Sequence, residues 1–339
     1  MTTPHLPESM THIAITQPGD PEVLQAQRVP LPEPGPGQLL VRVEAAGVNR
    51  PDVLQRRGLY PMPPGVTAIP GLEIAGIVVA IGPDANGAAT AFDIGDRICG
   101  LTDGGGYAEY VVLPASQALK RPANLDAIHA AAIPETYFTV WANLFMMGKA
   151  QAGETLLVHG GTSGIGSTAL MLAKEMGLRA ISTDGGPEKG EAAVKLGAEL
   201  SIDYRTQAFG PEVMRWSGGR GVDLILDIMG AGYFEQNLAA LAKDGRLLLI
   251  GFMAGNMVEK FDLLTVMLKR LTITGSTMRG RNTAEKAAIA RELHEWVWPA
   301  LAAGRCVPHV HEVFALDQAA QAHRLMESRQ HVGKIVLKV

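Results

Sequence analysis

Cysteine is nearly absent: Cys99 and Cys306 are the only two in 339 residues. Two thiols exclude a disulfide scaffold and any metal site built on three or four thiolates. Aromatic residues make up 5% of the chain, and 30 Lys and Arg face 34 Asp and Glu, for a formal net charge of −4. No cluster of basic residues with interleaved aromatics occurs, so nucleic-acid binding is not expected. Apolar runs such as 111–113 and 247–250 fall far short of the ~20 residues of a transmembrane helix. The first ten residues lack the basic, apolar and small-residue succession of a signal peptide and read as a frayed extension. These absences point to a soluble, cytoplasmic protein that does not touch membranes.

Apolar residues reach 47% and charged ones only 19%, which excludes a disordered chain. Glycine is abundant, at 39, which suggests tight turns and close approaches of backbone to ligand. The length suits two domains. From His12 to about Ala132 short β-type runs (13–15, 38–45, 77–81, 97–99, 110–113) alternate with turns such as Pro34-Gly-Pro-Gly37 and Gly104-Gly-Gly106. That texture predicts an irregular, partly open barrel. After Pro134 strands alternate with helices: strand 155–159, a helix with Ile165, Ala169, Leu172, Ala173 and Met176 on one face, strand 180–183, helix 188–196, strand 200–202, helix 211–216 and strands 222–227, 246–250 and 271–276. Such alternation predicts a doubly wound parallel sheet. One long helix is expected over 285–303. The tail reverts to short strands around a helix at 318–327, so residues 304–339 are grouped with 1–132, and 133–303 form the other domain.

The strand ending at His159 runs straight into Gly160-Gly-Thr-Ser-Gly-Ile-Gly166 and a helix. Backbone N–H groups at such a turn, with the helix N-terminus, bind a pyrophosphate without side chains. Gly161, Thr162, Ser163, Gly164, Ile165 and Gly166 are therefore candidate dinucleotide contacts. Thr162 and Ser163 have no His/Asp partner that would make either a nucleophile. Asp184, 18 residues after Gly166, is placed to accept from adenosine ribose hydroxyls, which favours NAD. Lys189 and Tyr204-Arg205 favour a 2′-phosphate or are solvated surface residues. His159 is expected to end a buried strand satisfied by a neighbour, Cys99 to be an inert buried thiol, and His309 and His311 to lie on the surface.

With these elements the chain resembles the medium-chain dehydrogenase/reductases, in particular the zeta-crystallin-like quinone oxidoreductases and their tumour-suppressor-inducible branch. The resemblance runs from about His12 to Val339. It rests on Gly47-Val-Asn-Arg-Pro-Asp52, Pro70-Gly-Leu-Glu-Ile-Ala-Gly76, Gly95-Asp-Arg97, Gly104-Gly-Gly-Tyr-Ala-Glu-Tyr110, Pro134-Glu-Thr-Tyr-Phe-Thr-Val-Trp141 and Gly333-Lys-Ile-Val336, in that order. It implies an α/β protein with a GroES-like irregular β-barrel catalytic domain and a Rossmann nucleotide domain. It places Asn49 and Tyr60, with Asp52, at the substrate side. It assigns Thr139 to the nicotinamide or phosphate side and adds Phe252 and Lys334 to the cofactor set. Lys189 and Tyr204 match positions contacting the 2′-phosphate of NADPH, whereas Asp184 and Gly186 depart from the family and leave NADH open. Asp184 is expected to face that phosphate as a like charge.

Zinc-dependent relatives carry Cys where this chain has Asn49 and His where it has Leu72, and four cysteines in a lobe that here has none; no metal is expected. Without a Lewis acid the chemistry suits substrates that accept hydride readily, namely quinones and conjugated enones. Two alternatives remain: an enoyl-thioester reductase, with Arg50, Arg56 and Arg57 lining a basic channel, and a crystallin-like or RNA-binding protein with no enzymatic role. A homodimer joined through the edge strand 271–276 is expected, because Leu271 and Ile273 on an open edge invite pairing.

Overall fold

The computed structural model describes residues 6–60, 62–84 and 90–339. Most of the leading extension, residues 1–5, and Pro61 beside Tyr60 lie outside these described residues. The chain divides into two compact units, Met1–Phe138 with Arg279–Val339, and Thr139–Met278.

In the first unit the turn at Pro34-Gly-Pro-Gly37 launches strand Gln38–Val48, around which a seven-stranded sheet is organised. Its order is Val310–Ala315, Lys334–Lys338, Gln38–Val48, Glu73–Ile81, Arg97–Leu101 and Ala118–Lys120, with Tyr110–Pro114 pairing Gln38–Val48 off this path. All its pairs are antiparallel except Val310–Ala315 with Lys334–Lys338. The tail thus completes the sheet begun in the first half. Leu39, Val41, Val43, Ile74, Val78, Ile98 and Leu337 form its core. A separate hairpin pairs Ser9–Ile15 with Leu24–Pro30.

In the second unit six parallel strands take the order Ala198–Asp203, Arg179–Asp184, Thr155–His159, Val222–Asp227, Leu241–Leu249 and Thr272–Gly275. Numbered along this sheet the order is 3-2-1-4-5-6, the doubly wound arrangement that puts a ligand crevice beyond the C-terminal ends of the central strands. Thr155–His159 and Val222–Asp227 are buried at every residue, as strands covered on both faces must be.

The sequence expectation differs from the structure in several respects. The helix expected over 285–303 is two helices, Thr283–Trp296 and Trp298–Ala302, with Pro299 opening the second. Both belong to the first unit rather than the nucleotide unit. Lys286 pairs with Asp103, Trp298 Nε1 donates to the Lys120 carbonyl at 2.7 Å, and Asn124 Nδ2 donates to the Leu301 carbonyl at 3.0 Å. These long-range bonds decide a membership that periodicity cannot. Helices Phe234–Ala240 and Leu263–Lys269 and the π-helical stretch Trp141–Met147 have no counterpart in the sequence reading. Among the described residues no helix is long and apolar enough to cross a membrane.

Candidate functional site

The glycine-rich turn is shaped by space that only glycine leaves. A Cβ on Gly166 would lie 2.0 Å from the Gly160 carbonyl oxygen, and one on Gly161 would lie 2.5 Å from the Ser182 Cβ. Gly160 has φ +70°, which favours glycine. Ser163 caps helix Gly164–Glu175, its Oγ accepting from the Gly166 N–H at 2.9 Å. The remaining first-turn N–H groups, at Gly164 and Ile165, are left for an anion by helix geometry. His159 is buried and bound: Nε2 meets Asn237 Oδ1 at 2.7 Å and Nδ1 meets Thr183 Oγ1 at 3.1 Å. Burial pulls its pKa down to about 4, so it sits there as a neutral strut.

Asp184 corrects the sequence reading. One carboxylate oxygen accepts from the Thr162 N–H and Oγ1, both at 2.8 Å. The other accepts from Ser182 Oγ at 2.7 Å and Ser201 Oγ at 2.9 Å. A carboxylate has about four acceptor positions, and here the chain itself fills them. Asp184, 2% exposed, therefore clamps the glycine-rich turn instead of facing a ribose or phosphate. Burial raises its pKa against the pull of those bonds.

Beside it, the Tyr204 hydroxyl and the Arg205 guanidinium hang over the Gly185-Gly186 turn, 2.7 Å and 3.2 Å from where a Gly185 Cβ would be. Lys189 is close enough to feel both Asp184 and Arg205, and burial lowers its pKa. The structure thus groups Lys189, Tyr204 and Arg205 at one corner. Phe252, 64% exposed, follows strand Leu241–Leu249. Thr139 Oγ1 is buried with no partner. An orphaned hydroxyl, a cradle closed to any Cβ and open helix N–H groups all fit a dinucleotide.

The first unit holds a second cluster. Asn49, 6% exposed, ends the strand Gln38–Val48 and caps helix Arg50–Arg56. Lys334 Nζ donates to Asn49 Oδ1 and to Glu73 Oε1, each at 2.6 Å. Asn49 Nδ2 donates to Glu73 Oε1 at 2.8 Å, and Glu73 Oε2 accepts the Glu135 N–H at 2.8 Å. The ammonium fixes which way the amide points, leaving Asn49 a donor with one N–H unassigned. Gly47 is required here, since its Cβ would fall 2.0 Å from Glu73 Oε1. Lys334, expected among the cofactor contacts, is instead consumed by this triad.

Asp52 likewise differs from its expected catalytic place. It is fully buried, accepting from the Asn49 N–H at 2.8 Å, the Gly71 N–H at 3.0 Å and the Tyr107 hydroxyl at 3.3 Å. Burial raises its pKa to about 6. It joins the helix start to the Gly71 turn and is shielded from any ligand. Burial and then the Glu73 carboxylate push Glu135 up to about 8, with Lys334 drawing it back. Tyr60 lies under Arg279, whose guanidinium carbon is 4.6 Å from the ring centre, and burial raises the phenol's pKa. Sequence reasoning missed Glu135 and Arg279; Glu135 stands inside the quoted Pro134-Glu motif, but nothing in sequence joins Arg279 to Tyr60. Arg56 and Arg57, expected to line a basic channel, both pair with Glu327.

Residues 164–293 match the family model described as zinc-binding dehydrogenase, and residues 35–123 match the alcohol dehydrogenase GroES-like domain. The chain is 30% identical over 331 residues to the quinone oxidoreductase of Sus scrofa, covering 97% of each protein. It is 31% identical over 332 residues, 98% of its length, to the phthioceranic/hydroxyphthioceranic acid synthase of Mycobacterium tuberculosis, of which it spans only 15%. The Escherichia coli quinone oxidoreductase complexed with NADPH superimposes with a TM-score of 0.82 at 28% identity, covering 98% of this chain and 100% of that one. The zinc in the first description finds no donor set to match. Asn49 and Leu72 offer no thiolate or imidazole, and the cation held by Asn49 and Glu73 is the Lys334 ammonium. Among the described residues no three His, Cys, Asp or Glu side chains could share a metal.

Proposed function

Because this chain belongs to the medium-chain dehydrogenase/reductase family of oxidoreductases that includes the quinone oxidoreductases, we propose that it is a zinc-independent, NADPH-dependent reductase of quinones or conjugated enones. One observation carries the reading: the buried Lys334–Glu73–Asn49 triad. It supplies an internal cation where zinc-dependent relatives need a metal, and it turns the Asn49 amide into a hydrogen-bond donor for a carbonyl oxygen. A bound reduced nicotinamide supplies hydride. The chain's part is to bind and orient a carbonyl whose own conjugation makes it electrophilic. The glycine-rich turn, Thr139 and Phe252 hold the nucleotide. Lys189, Tyr204 and Arg205 receive the 2′-phosphate, and the inward turn of Asp184 removes the repulsion that would favour NADH. Commitment of Arg56 and Arg57 to Glu327 weakens the thioester alternative.

The test is turnover of NADPH and NADH with quinones, enones and enoyl thioesters, before and after dialysis against chelator. Chelator-resistant quinone or enone reduction preferring NADPH is expected. Stoichiometric zinc, removable with loss of turnover, would refute the metal-free site. Asn49→Ala should lower kcat ~10- to 1000-fold and leave nucleotide affinity unchanged.

The working form is a homodimer. Thr272–Gly275 is the last strand of its sheet, and next to it Leu263, Leu264, Met267 and Leu268 of helix Leu263–Lys269 are 61–73% exposed. An open edge beside so much apolar surface suits a second copy. Sedimentation at twice the chain mass is expected at micromolar concentration, and a monomer would overturn it.

A further inference from the structure

Buried charges are ordinarily paired, because removing an ion from water is costly. Lys334 obeys this rule through Glu73. Arg279 does not. It is 8% exposed, yet among the described residues no carboxylate lies at ion-pair distance from it; Asp52 and Glu135 act on it only from farther away. Among the described residues its terminal nitrogens reach only Gln55 Oε1 and the Met62 sulfur, both at 3.2 Å, and its Nε is buried without an acceptor. Gln55 cannot reorient, since its Nε2 donates to the Ala68 carbonyl at 2.9 Å. The plane of the guanidinium is fixed by Tyr60 beneath it.

We propose that Arg279 and Tyr60 form an oxyanion site, the place where the carbonyl oxygen of the substrate gathers negative charge. This rests on the reductase reading above and adds a catalytic residue to it. When a quinone or enone accepts hydride, the incoming electron pair displaces the carbonyl π electrons onto oxygen. The resulting oxyanion takes a proton from water and departs as a hydroxyl or enol.

A guanidinium whose donors are poorly matched inside the protein is suited to an oxygen that becomes charged only during the reaction. Tyr60, raised by burial, keeps its proton and donates alongside Arg279. Its contribution is thereby orientation and a second hydrogen bond.

The decisive probe is 4-nitrophenol, whose absorbance distinguishes phenol from phenolate, added to nucleotide-free protein below the phenol's own pKa. Wild type should bind it as phenolate. Arg279→Gln should lose the phenolate signal and bind at least ~10-fold more weakly, whereas Arg279→Lys, which keeps the charge, should retain part of the signal. With quinone, Arg279→Gln should lower kcat ~100-fold while NADPH affinity stays unchanged. No phenolate signal in wild type, or an equal signal in Arg279→Gln, overturns the inference, as does undiminished kcat in that variant. If wild type reduces no quinone or enone but its phenolate signal depends on Arg279, the oxyanion site stands and the reductase reading falls.

Discussion

The two units solve opposite problems with opposite materials. The nucleotide unit binds with backbone: its glycine-rich turn is contiguous in sequence, and a buried carboxylate, Asp184, works inward to hold that turn. The catalytic unit works with side chains from five separated segments, bringing Asn49, Tyr60, Glu73, Glu135, Arg279 and Lys334 into one charged cluster. The first depends on space that must stay empty. The second depends on charges that must stay balanced. Substitutions should therefore fail in different ways in each unit.

The largest effects are expected where a Cβ has nowhere to go. Gly166→Ala would push a methyl to 2.0 Å from the Gly160 carbonyl. It should weaken NADPH binding more than ~100-fold, while the phenolate signal of the catalytic unit survives. Gly47→Ala meets Glu73 at the same distance and should do the reverse, abolishing turnover while nucleotide titration is nearly normal. Equal loss of both functions in either variant would erase the distinction between the units.

Next comes charge balance. Lys334→Met leaves the Glu73 carboxylate fully buried without its cation, and breaking such a pair typically costs ~3–5 kcal/mol. Chemical denaturation should show that loss, and Lys334→Met combined with Glu73→Gln should recover much of it. A double variant as unstable as the single one would mean that packing, not charge, governs the triad.

How much of this was legible follows from the same contrast. The glycine-rich motif, the strand–helix alternation and the split domain could be read because they are local or periodic. The direction of Asp184 could not, since it depends on Ser201 in the neighbouring strand and on Thr162 in the glycine-rich turn. Lys334 was noticed but given to the cofactor, because sequence shows a lysine after Gly333 and not the carboxylate that meets it 261 residues away. Helix Leu263–Lys269 was missed because it is short and has no buried residue to mark a face.

A smaller effect sharpens the nucleotide half of the comparison. If Asp184 is a clamp, Asp184→Ala should weaken NADPH and NADH alike, by about 10-fold for each ~1.4 kcal/mol of lost support. The NADPH:NADH ratio in kcat/KM should then be unchanged, whereas Arg205→Ala should lower it. A ratio that rises in Asp184→Ala would show the carboxylate facing the phosphate after all.

The smallest predicted effect isolates one proton in the catalytic unit. Glu135 ordinarily titrates at 4.5 but is pushed up to about 8 in the folded protein, first by burial and then by Glu73. Between those values the unfolded chain has lost this proton and the folded chain still holds it. The folded state therefore binds more protons, and stability declines as pH rises from about 4.5 through 8. Asp52, raised to about 6, contributes in the same direction. His159 and His323, lowered to about 4 and 3, act oppositely: their contribution is complete above the ordinary value of 6.5 and is lost as pH falls. Comparing wild type with Glu135→Gln cancels those shared contributions, because only one of the two proteins titrates at this position. Glu135→Gln should match wild type near pH 4.5 and become progressively more stable than wild type as pH rises toward 8, read as a widening difference in Tm. A difference that stays constant across that window would mean that position 135 carries no displaced proton.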